Sequence, residues 1–373
     1  DLTELAEKDS VKLLSAENSG IVFQATDNSV EQVLTNANIE FFNIGKVTNS
    51  DVLSIINHQE VFTLTVSRLR DVWYKTSFLL DQKQTANNLA QDRFDNYKKQ
   101  PLQYKFPKHF TGKLSDVIAS ETKQSDSEKE IAMSRAPRKD RPKAAILREK
   151  GSNSEREMAN AMYLAGFDVK DVHMTDLISG RETLEDIQFI GAVGGFSNSD
   201  VLGSAKGWAG AFMYNEKANT ALKNFFKRED TLSVGICNGC QLFMELEVIN
   251  PEHDVHGKMT YNDSHKHESA FTSVKIQKNN SVMLSTLEGT TLGVWISHGE
   301  GKFSLPKSED QYHIVAKYGY EEYPANRNGS DYNTAMMCDK TGRHLVTMPH
   351  IERSTFQWNW ANYPSGRKDE VSP

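Results

Sequence analysis

One predicted junction between a strand and a helix limits the possible folds of this chain more than any other stretch. Residues 231–246 read TLSVGICNGCQLFMEL, an apolar run that ends at Cys237 and continues into a helix-like segment. Gly235 and Gly239 flank Cys237, as glycines flank the serine of a G-x-S-x-G nucleophile elbow. Side chains at the flanking positions of such a turn would collide with adjacent strands. The pattern therefore predicts that Cys237 is a nucleophile in a strained turn.

The pair of Cys237 and Cys240 has two other interpretations. A C-x-x-C pair at the start of a helix suits a thioredoxin-like dithiol, because the helix N-terminus lowers the pKa of the first thiol. The same pair could supply half of a zinc site if histidines completed it. The candidates are His253, His256, His265 and His267. Their spacing is irregular, and neither alternative explains the two glycines. We therefore favour the elbow, expect no bound metal, and interpret Cys240 as a small buried residue.

A second motif supplies the base that a cysteine nucleophile needs. HLVTMPHIERS, residues 344–354, reads as an apolar strand that ends at His350, with Glu352 two residues further on. With one residue between them, the carboxylate can reach the imidazole nitrogen that faces away from the cysteine. A base that is oriented by a third group is the general arrangement for activating a nucleophile. The two motifs together predict a triad of Cys237, His350 and Glu352.

Composition excludes several classes of function. The chain has 373 residues, a formal net charge of −7 and a pI of about 5.9, which gives no electrostatic reason to bind nucleic acid. Three cysteines do not make a disulfide framework, so we expect a reducing, cytoplasmic compartment. No apolar run approaches the ~20 residues that span a bilayer, so we expect no membrane association.

The first two regions of the chain differ in composition and in predicted secondary structure. Residues 1–75 read as a small α/β unit. Its strand-like pieces are GIVFQAT (20–26), DVLSIIN (51–57) and EVFTLTV (60–66), and its helical piece is SVEQVLTNANI (29–39). Residues 76–142 complete a helix predicted over 69–99 and then form a linker from 101, which ends in the basic cluster RAPRKDRPK. In an acidic protein we interpret this cluster as solvated linker.

Residues 143–373 alternate strand-like and helix-like segments, which predicts a parallel sheet with functional groups beyond the carboxyl ends of its strands. Ser154 and Glu157 form an S-x-x-E pattern that predicts a capping box, opening a helix that continues to Ala165 and stops at Gly166. The segments that read as strands are AAIL, VKDVHM, FIGAVGG, LSVGIC, TSVKIQ, TTLGVWISH, YHIVAKYG and HLVTMPH.

Five consecutive motifs resemble those of a known family. AAILREKGSNSEREMANAMYLAGFDVKDVHMTDL, GAVGGFSNSDVLGSAKGWA, GICNGCQ, ISHGEG and MPHIER follow one another as in the class I (triad) glutamine amidotransferase domain of the phosphoribosylformylglycinamidine synthase family. This resemblance covers nearly all of 143–363 and implies a flavodoxin-like, three-layer α/β fold. Residues 1–75 are similar to the end of the aminoimidazole-ribonucleotide-synthetase-like C-terminal domain of the same family. The chain is thus expected to be the C-terminal portion of a longer polypeptide.

The resemblance also implies a mechanism. Cys237 would attack the side-chain amide of glutamine, His350 would transfer protons, and Glu352 would orient His350. The residues implied to form the oxyanion hole or to bind glutamine are Gly194, Gly195, Phe196, Asn238, Gln241, Ser297 and His298. Another cysteine hydrolase of the same broad fold is the alternative.

The resemblance assigns no cofactor to this portion and places ATP and Mg²⁺ in the synthetase domain of the complete enzyme. The implied partners are glutamine and the upstream synthetase domains of the same polypeptide. Three positions depart from the family pattern. Asn198 and Ser199 replace a usual tyrosine and glycine, and Ile351 replaces a usual proline. None of the three supplies a reacting group.

Overall fold

A computed structural model describes residues 1–99, 102–114 and 141–373. Most of the linker predicted for 101–142, including residues 135–140 of its basic cluster, lies outside these residues. The chain divides into two compact units, Asp1–Lys83 and Gln84–Pro373. In the part of the chain that the model describes, no helix is both long and apolar enough to cross a membrane.

The first unit is built from short helices and one β-hairpin. Its elements are α1 (Ser10–Leu14), α2 (Ser29–Asn36), β1 (Val52–Asn57), β2 (Glu60–Thr65) and α3 (Val66–Gln84), the last of which ends one residue beyond the unit. The predicted helix at 29–39 and the two strands of the hairpin are confirmed, since β1 and β2 pair in antiparallel register. No hydrophobic side chain of residues 1–83 is buried.

Two predictions for the first hundred residues are wrong. GIVFQAT forms no strand, and Ile21 is 88% exposed. A β-rich sequence needs a partner strand and a buried face, and this segment has neither. The helix predicted over 69–99 is broken into α3 and α4 (Leu89–Asp95). Asn87 and Asn88 between them adopt left-handed conformations, which asparagine tolerates better than most residues.

The second unit contains eleven strands within its described residues. They are β3 Lys143–Arg148, β4 Asp168–His173, β5 Phe189–Ala192, β6 Leu232–Ile236, β7 Lys258–Thr260, β8 Glu268–Ile276, β9 Thr291–His298, β10 Lys302–Ser304, β11 His313–Tyr318, β12 Thr334–Cys338 and β13 His344–Thr347. Nine of them form one sheet in the order β4-β3-β5-β6-β13-β12-β11-β8-β9. The first five strands in this order are parallel, and the remaining pairs are antiparallel. Strands β7 and β10 form a separate pair. The predicted parallel-sheet α/β class is confirmed.

Five helices of this unit connect and cover the strands. They are α5 (Glu155–Leu164), α6 (Met174–Ser179), α7 (Lys206–Met213), α8 (Glu216–Lys227) and α9 (Asn238–Glu245). Helix α5 packs on β3 and β4, whereas α9 packs on β5, β6 and β13. The hydrophobic core is continuous across this unit and includes the fully buried Trp208 and Phe243.

The predicted capping box at the start of α5 is wrong. Ser154 is the N-cap residue, but it has a left-handed φ of 68° and its side chain caps no helical N–H. Its hydroxyl instead accepts a long hydrogen bond from the Gly194 N–H, at 3.4 Å. The end of α5 is as predicted, with Ala165 as the C-cap and Gly166 at a φ of 95°.

Candidate active site

Cys237 lies in a strained turn between β6 and α9. Its φ of 51° and ψ of −104° are sparsely populated for a residue with a side chain. Two backbone hydrogen bonds hold Cys237 in this conformation. Its N–H donates to the Thr347 carbonyl at 2.8 Å, and its carbonyl accepts from the Gln241 N–H at 3.0 Å. The central parallel position of β6, between β5 and β13, places this turn at the shared carboxyl edge of three strands.

The two glycines beside Cys237 are required by close approach of the backbone. A Cβ atom on Gly239 would lie 2.1 Å from the carbonyl oxygen of Ala192, which ends β5. This is the collision with an adjacent strand that the sequence predicts. A Cβ atom on Gly235 would instead lie 2.5 Å from the carbonyl oxygen of Gly239, so this glycine makes room for α9 rather than for a neighbouring strand.

His350 and Glu352 form a buried pair next to Cys237. His350 lies three residues beyond the end of β13, and its N–H donates to the Trp295 carbonyl at 2.7 Å. Its Nδ1 is 2.6 Å from Glu352 Oε1, and the two residues are 2% and 5% exposed. Burial opposes protonation of His350, but the Glu352 carboxylate and Cys237 outweigh burial and raise the pKa of the imidazole to about 10.

Gly194 lies against both the cysteine and the histidine. A Cβ atom there would be 2.7 Å from His350 Cε1 and 3.4 Å from Cys237 Cβ. Gly195, with a φ of 114°, makes no hydrogen bond through its N–H within the described part of the chain. Asn238 is the first residue of α9, so its N–H has no acceptor inside the helix. Two backbone donors are therefore available near Cys237.

Asn238 and Gln241 use their side chains to hold loops in place. Asn238 Nδ2 donates to Gln241 Oε1 at 2.9 Å, and its own Oδ1 accepts from the Ser197 N–H at 3.2 Å. Gln241 Nε2 donates to the Glu300 carbonyl at 2.7 Å. Both amides are buried, and they tie the turn after β5 and the turn after β9 to the start of α9.

Ser297 and His298, at the end of β9, complete the predicted set. The Cys237 Sγ is 3.6 Å from the Ser297 carbonyl oxygen. His298 is 2% exposed, and neither ring nitrogen has a hydrogen-bond partner among the described residues. Burial, reinforced by the positive charge of His350, lowers the pKa of His298 to about 3, which keeps its ring neutral.

A cavity of about 100 Å³ opens beside Cys237. Five predicted binding residues line it, namely Gly195, Phe196, Gln241, Ser297 and His298, whereas Gly194 and Asn238 do not. The sequence analysis assigned no role to the five other lining residues, which are Asp200, Ser204, Tyr261, Gly299 and Glu300. Glu300 belongs to the quoted ISHGEG motif and Asp200 to GGFSNSD, so motif membership was the available signal. A second cavity of about 650 Å³ lies against Ser297, His350 and Glu352.

Cys240 and the candidate histidines bear on the dithiol and zinc interpretations of the sequence. Cys237, Cys240 and Cys338 are all free thiols. Cys240 is fully buried, as predicted, and burial raises the pKa of its thiol well above the usual range. Within 1–99, 102–114 and 141–373, no group of three or more His, Cys, Asp or Glu residues is placed to hold a metal ion. His256 instead lies 3.4 Å from Glu247.

The parallel sheet and the Cys237 turn define the class of protein, an α/β protein with a cysteine in a strained turn between a parallel strand and a helix. Residues 141–373 match the model of the CobB/CobQ-like glutamine amidotransferase domain, and the chain belongs to this family.

Two curated relatives and one solved structure extend the comparison. The probable phosphoribosylformylglycinamidine synthase, chloroplastic/mitochondrial, of Arabidopsis thaliana is 36% identical over 378 residues, covering 94% of this chain and 25% of that protein. Phosphoribosylformylglycinamidine synthase of Homo sapiens is 34% identical over 390 residues, covering 95% and 28%. The structure of PurLQS from Thermotoga maritima has a TM-score of 0.49 and 24% identity, covering 59% of this chain and 92% of that one.

The two curated relatives confirm the resemblance found in the motifs. The alignments extend over nearly the whole chain and therefore include residues before the glutamine amidotransferase domain. The chain spans about a quarter of the length of the curated relatives that it matches.

Proposed function

We propose that residues 141–373 hydrolyse glutamine to glutamate and ammonia, with Cys237 as nucleophile, His350 as acid and base, and Glu352 as its orienting group. The observation that carries this proposal is the burial of the His350 imidazole between Glu352 and the Cys237 turn. A histidine held in this way can exchange a proton with a neighbouring thiol and with a substrate bound to it.

The proposed reaction has two halves. The Cys237 thiolate attacks the side-chain amide carbon of glutamine, and the carbonyl becomes a tetrahedral oxyanion. When this intermediate collapses, the C–N bond breaks, His350 gives its proton to the departing nitrogen, and ammonia leaves a glutamyl thioester on Cys237. His350 then accepts a proton from water as the water oxygen attacks the thioester. The C–S bond breaks, which restores the thiolate beside the imidazolium, and the new carboxyl group loses its proton to solvent as glutamate leaves.

Backbone donors are the proposed stabilisers of the oxyanion. The N–H groups of Gly195 and Asn238 are the two available donors near Cys237, and that of Gly194 is weakly engaged by Ser154 at 3.4 Å. Donors fixed before the reaction stabilise developing charge without reorganising. The cavity beside Cys237 is the proposed glutamine site, with Phe196, Gln241, Ser297 and His298 in its wall.

We further propose that the ammonia serves a synthetase reaction in a longer polypeptide. The names of the relatives support conversion of formylglycinamide ribonucleotide to formylglycinamidine ribonucleotide, with ATP and Mg²⁺ bound by synthetase domains outside this chain. The exposed apolar side chains of residues 1–83 support these domains as the partner, since a unit without buried apolar groups gains stability by covering them. Three free cysteines fit a reducing cytoplasm.

Labelling with a glutamine-mimicking diazo ketone, followed by peptide mass analysis, tests the glutaminase proposal. The reagent should modify Cys237, and glutamine should protect against the modification. Cys240→Ala should label normally, whereas Cys237→Ala should release no ammonia from glutamine. The experiment is run on this chain and on the complete enzyme. Modification of Cys240, or glutaminase activity in Cys237→Ala, would overturn the assignment.

A further inference from the structure

Two carboxylates converge on the wall of the Cys237 cavity. Ser204 lies between them, since its Oγ is 3.3 Å from Asp200 Oδ2 and its N–H donates to Glu300 Oε2 at 3.3 Å. Asp200 Oδ1 is buried and has no hydrogen-bond partner among the described residues. Burial raises the pKa of Asp200, the charge of Glu300 raises it further, and hydrogen bonds from Ser204 and the Ala205 backbone oppose the increase. A positive charge bound between the two carboxylates would stabilise both in their charged forms.

His298 independently marks the same cavity as a ligand site. It is 98% buried, since only 2% of it is exposed, and both of its ring nitrogens lack partners in the described chain. Buried polar groups in folded proteins are almost always hydrogen-bonded, so an unpaired imidazole that lines a cavity indicates a missing polar ligand. Because its ring is neutral, His298 offers one donor and one acceptor without competing for the positive charge.

The backbone before Ser204 directs Asp200 at this position. Asn198, Ser199 and Asp200 have φ values of 53°, 57° and 51°, three successive left-handed residues that each carry a side chain. Left-handed backbone is unfavourable for residues with a side chain, although asparagine and aspartate tolerate it better than serine. Strain of this kind persists where the surroundings hold a functional conformation. In this turn, the left-handed residues bring the chain back to the cavity wall, where Asp200 faces Glu300.

We propose that Asp200 and Glu300 bind the α-ammonium group of glutamine and so make the site selective for a free α-amino acid. This inference rests on the proposed glutaminase function, and it goes further by assigning the part of the substrate that does not react. A substrate whose amide carbon reaches Cys237 extends its α-carbon end away from the sulfur, toward the wall that these carboxylates form.

An ammonium group suits this pair better than the other cations. Calcium and magnesium ions bind six or more oxygen ligands, and a zinc ion binds at least three protein ligands in most sites. No group of three candidate metal ligands exists in the described residues. The cavity, at about 100 Å³, admits a small molecule and no part of a macromolecule larger than a side chain. An ammonium can be satisfied by two carboxylates and one neutral acceptor.

The test compares two substrates that differ only in the α-ammonium. Ammonia release is measured from L-glutamine and from glutaramate, the same amide without the α-amino group, in the complete enzyme. The variants are Asp200→Asn, Glu300→Gln and the double variant, which keep side-chain shape and remove charge. Asp254→Asn is the matched control, because Asp254 is an exposed carboxylate outside the cavity.

The wild-type enzyme should prefer glutamine, and each cavity variant should raise KM for glutamine about tenfold or more, because hydrogen bonds to charged groups are worth that much. The activity with glutaramate should stay within about twofold, so the double variant should lose most of the preference. Equal losses for both substrates, or an unchanged preference, would overturn the proposal.

A binding measurement separates failure of this proposal from failure of the glutaminase function. Equilibrium binding of L-glutamine and of glutaramate is measured in Cys237→Ala and in Cys237→Ala combined with Asp200→Asn. A wild-type enzyme that releases no ammonia from either amide would refute the glutaminase function. Tighter binding of glutamine than of glutaramate, lost with Asp200→Asn, would still support the α-ammonium site. Equal binding of the two amides would refute that site.

Discussion

His350 Nδ1 lies 2.6 Å from Glu352 Oε1, and both side chains are almost wholly buried. A carboxylate this close fixes the ring orientation and leaves the opposite edge of the imidazole toward Gly194 and Cys237. In a buried setting the pair is also an electrostatic unit, because an imidazolium there is stable only while the carboxylate is charged. The first two predictions concern this unit.

Glu352→Gln should reduce kcat with glutamine by about 10²–10⁴-fold, because the amide neither fixes the tautomer nor stabilises the imidazolium. KM should change little, since Glu352 does not line the cavity beside Cys237. Steady-state ammonia release measures both constants. The control is Glu185→Gln at an exposed position, which should leave them unchanged. Activity within threefold of wild type in Glu352→Gln would argue against an orienting role.

The same substitution should change how stability depends on pH. The pKa of His350 is about 10 in the folded chain, against an ordinary value of 6.5. The folded state therefore holds this proton more tightly, and the stabilisation is fully present below the ordinary pKa and is lost as pH rises through the folded one. The free energy of unfolding of wild type minus that of Glu352→Gln should be largest near pH 6 and shrink toward pH 10.

Urea unfolding of both proteins at about pH 6, 8 and 10 measures this difference. Glu185→Gln again serves as the control, and its difference from wild type should not vary with pH in this range. A difference between wild type and Glu352→Gln that grows with pH would show that the imidazole is neutral in the folded chain. The buried pair would then lack the charge assigned to it.

The sequence predicts the central strands of the parallel sheet well, because β3, β5, β6 and β13 are short apolar runs that the fold buries. Thus AAIL becomes β3 and LSVGIC becomes β6. It fails for GIVFQAT, where β-propensity had no partner strand to act on. The prediction also fails at Ser154. The S-x-x-E pattern describes only local sequence, whereas the Ser154 hydroxyl accepts a hydrogen bond from Gly194, which lies in a turn distant in sequence.

The sequence reveals the site residues that lie close together along the chain, and it does not reveal those that only the fold brings together. Cys237 sits between its two glycines, and His350 and Glu352 are two residues apart, so short motifs reveal them. Asp200 and Glu300 meet through Ser204 although a hundred residues separate them, and only the order of strands in the sheet brings their turns together. Their convergence is a property of topology that motif spacing does not encode.

Gly194→Ala should abolish most glutaminase activity and leave the fold intact. Its Cβ would lie 2.7 Å from His350 Cε1, so the imidazole must move away from Cys237. A displacement of about 1 Å at a reacting group can cost 10²-fold in rate. The matched control is Gly210→Ala in α7, where the nearest atom is 3.8 Å away and alanine favours the helix.

Circular dichroism and the thermal midpoint establish folding of both variants, and ammonia release measures their activity. Normal activity in Gly194→Ala would mean that His350 tolerates displacement from Cys237. Loss of activity in Gly210→Ala would mean that the assay reports stability rather than geometry.

Ser199→Gly should stabilise the second unit slightly. Ser199 is exposed at a φ of 57°, a conformation that glycine adopts without steric cost. Relief of left-handed strain contributes about 1 kcal/mol, and the greater freedom of glycine in the unfolded chain offsets roughly half of it. The control is Ser365→Gly, another exposed serine outside the left-handed region, which should lower stability. Thermal midpoints that fall in both variants would mean that the turn holds Ser199 without strain.

Deletion of residues 1–83 should leave the thermal midpoint of the remaining chain unchanged. Every member of the buried hydrophobic cluster lies in Gln84–Pro373, and no apolar side chain of the deleted unit is buried. The deletion also removes exposed apolar groups such as Ile21 and Trp73, so binding of the dye ANS should fall. Calorimetry and dye fluorescence of the chain that begins at Gln84 measure the two effects. A midpoint lowered by more than about 5 °C, roughly 3 kcal/mol for a unit of this size, would mean that residues 1–83 stabilise the second unit.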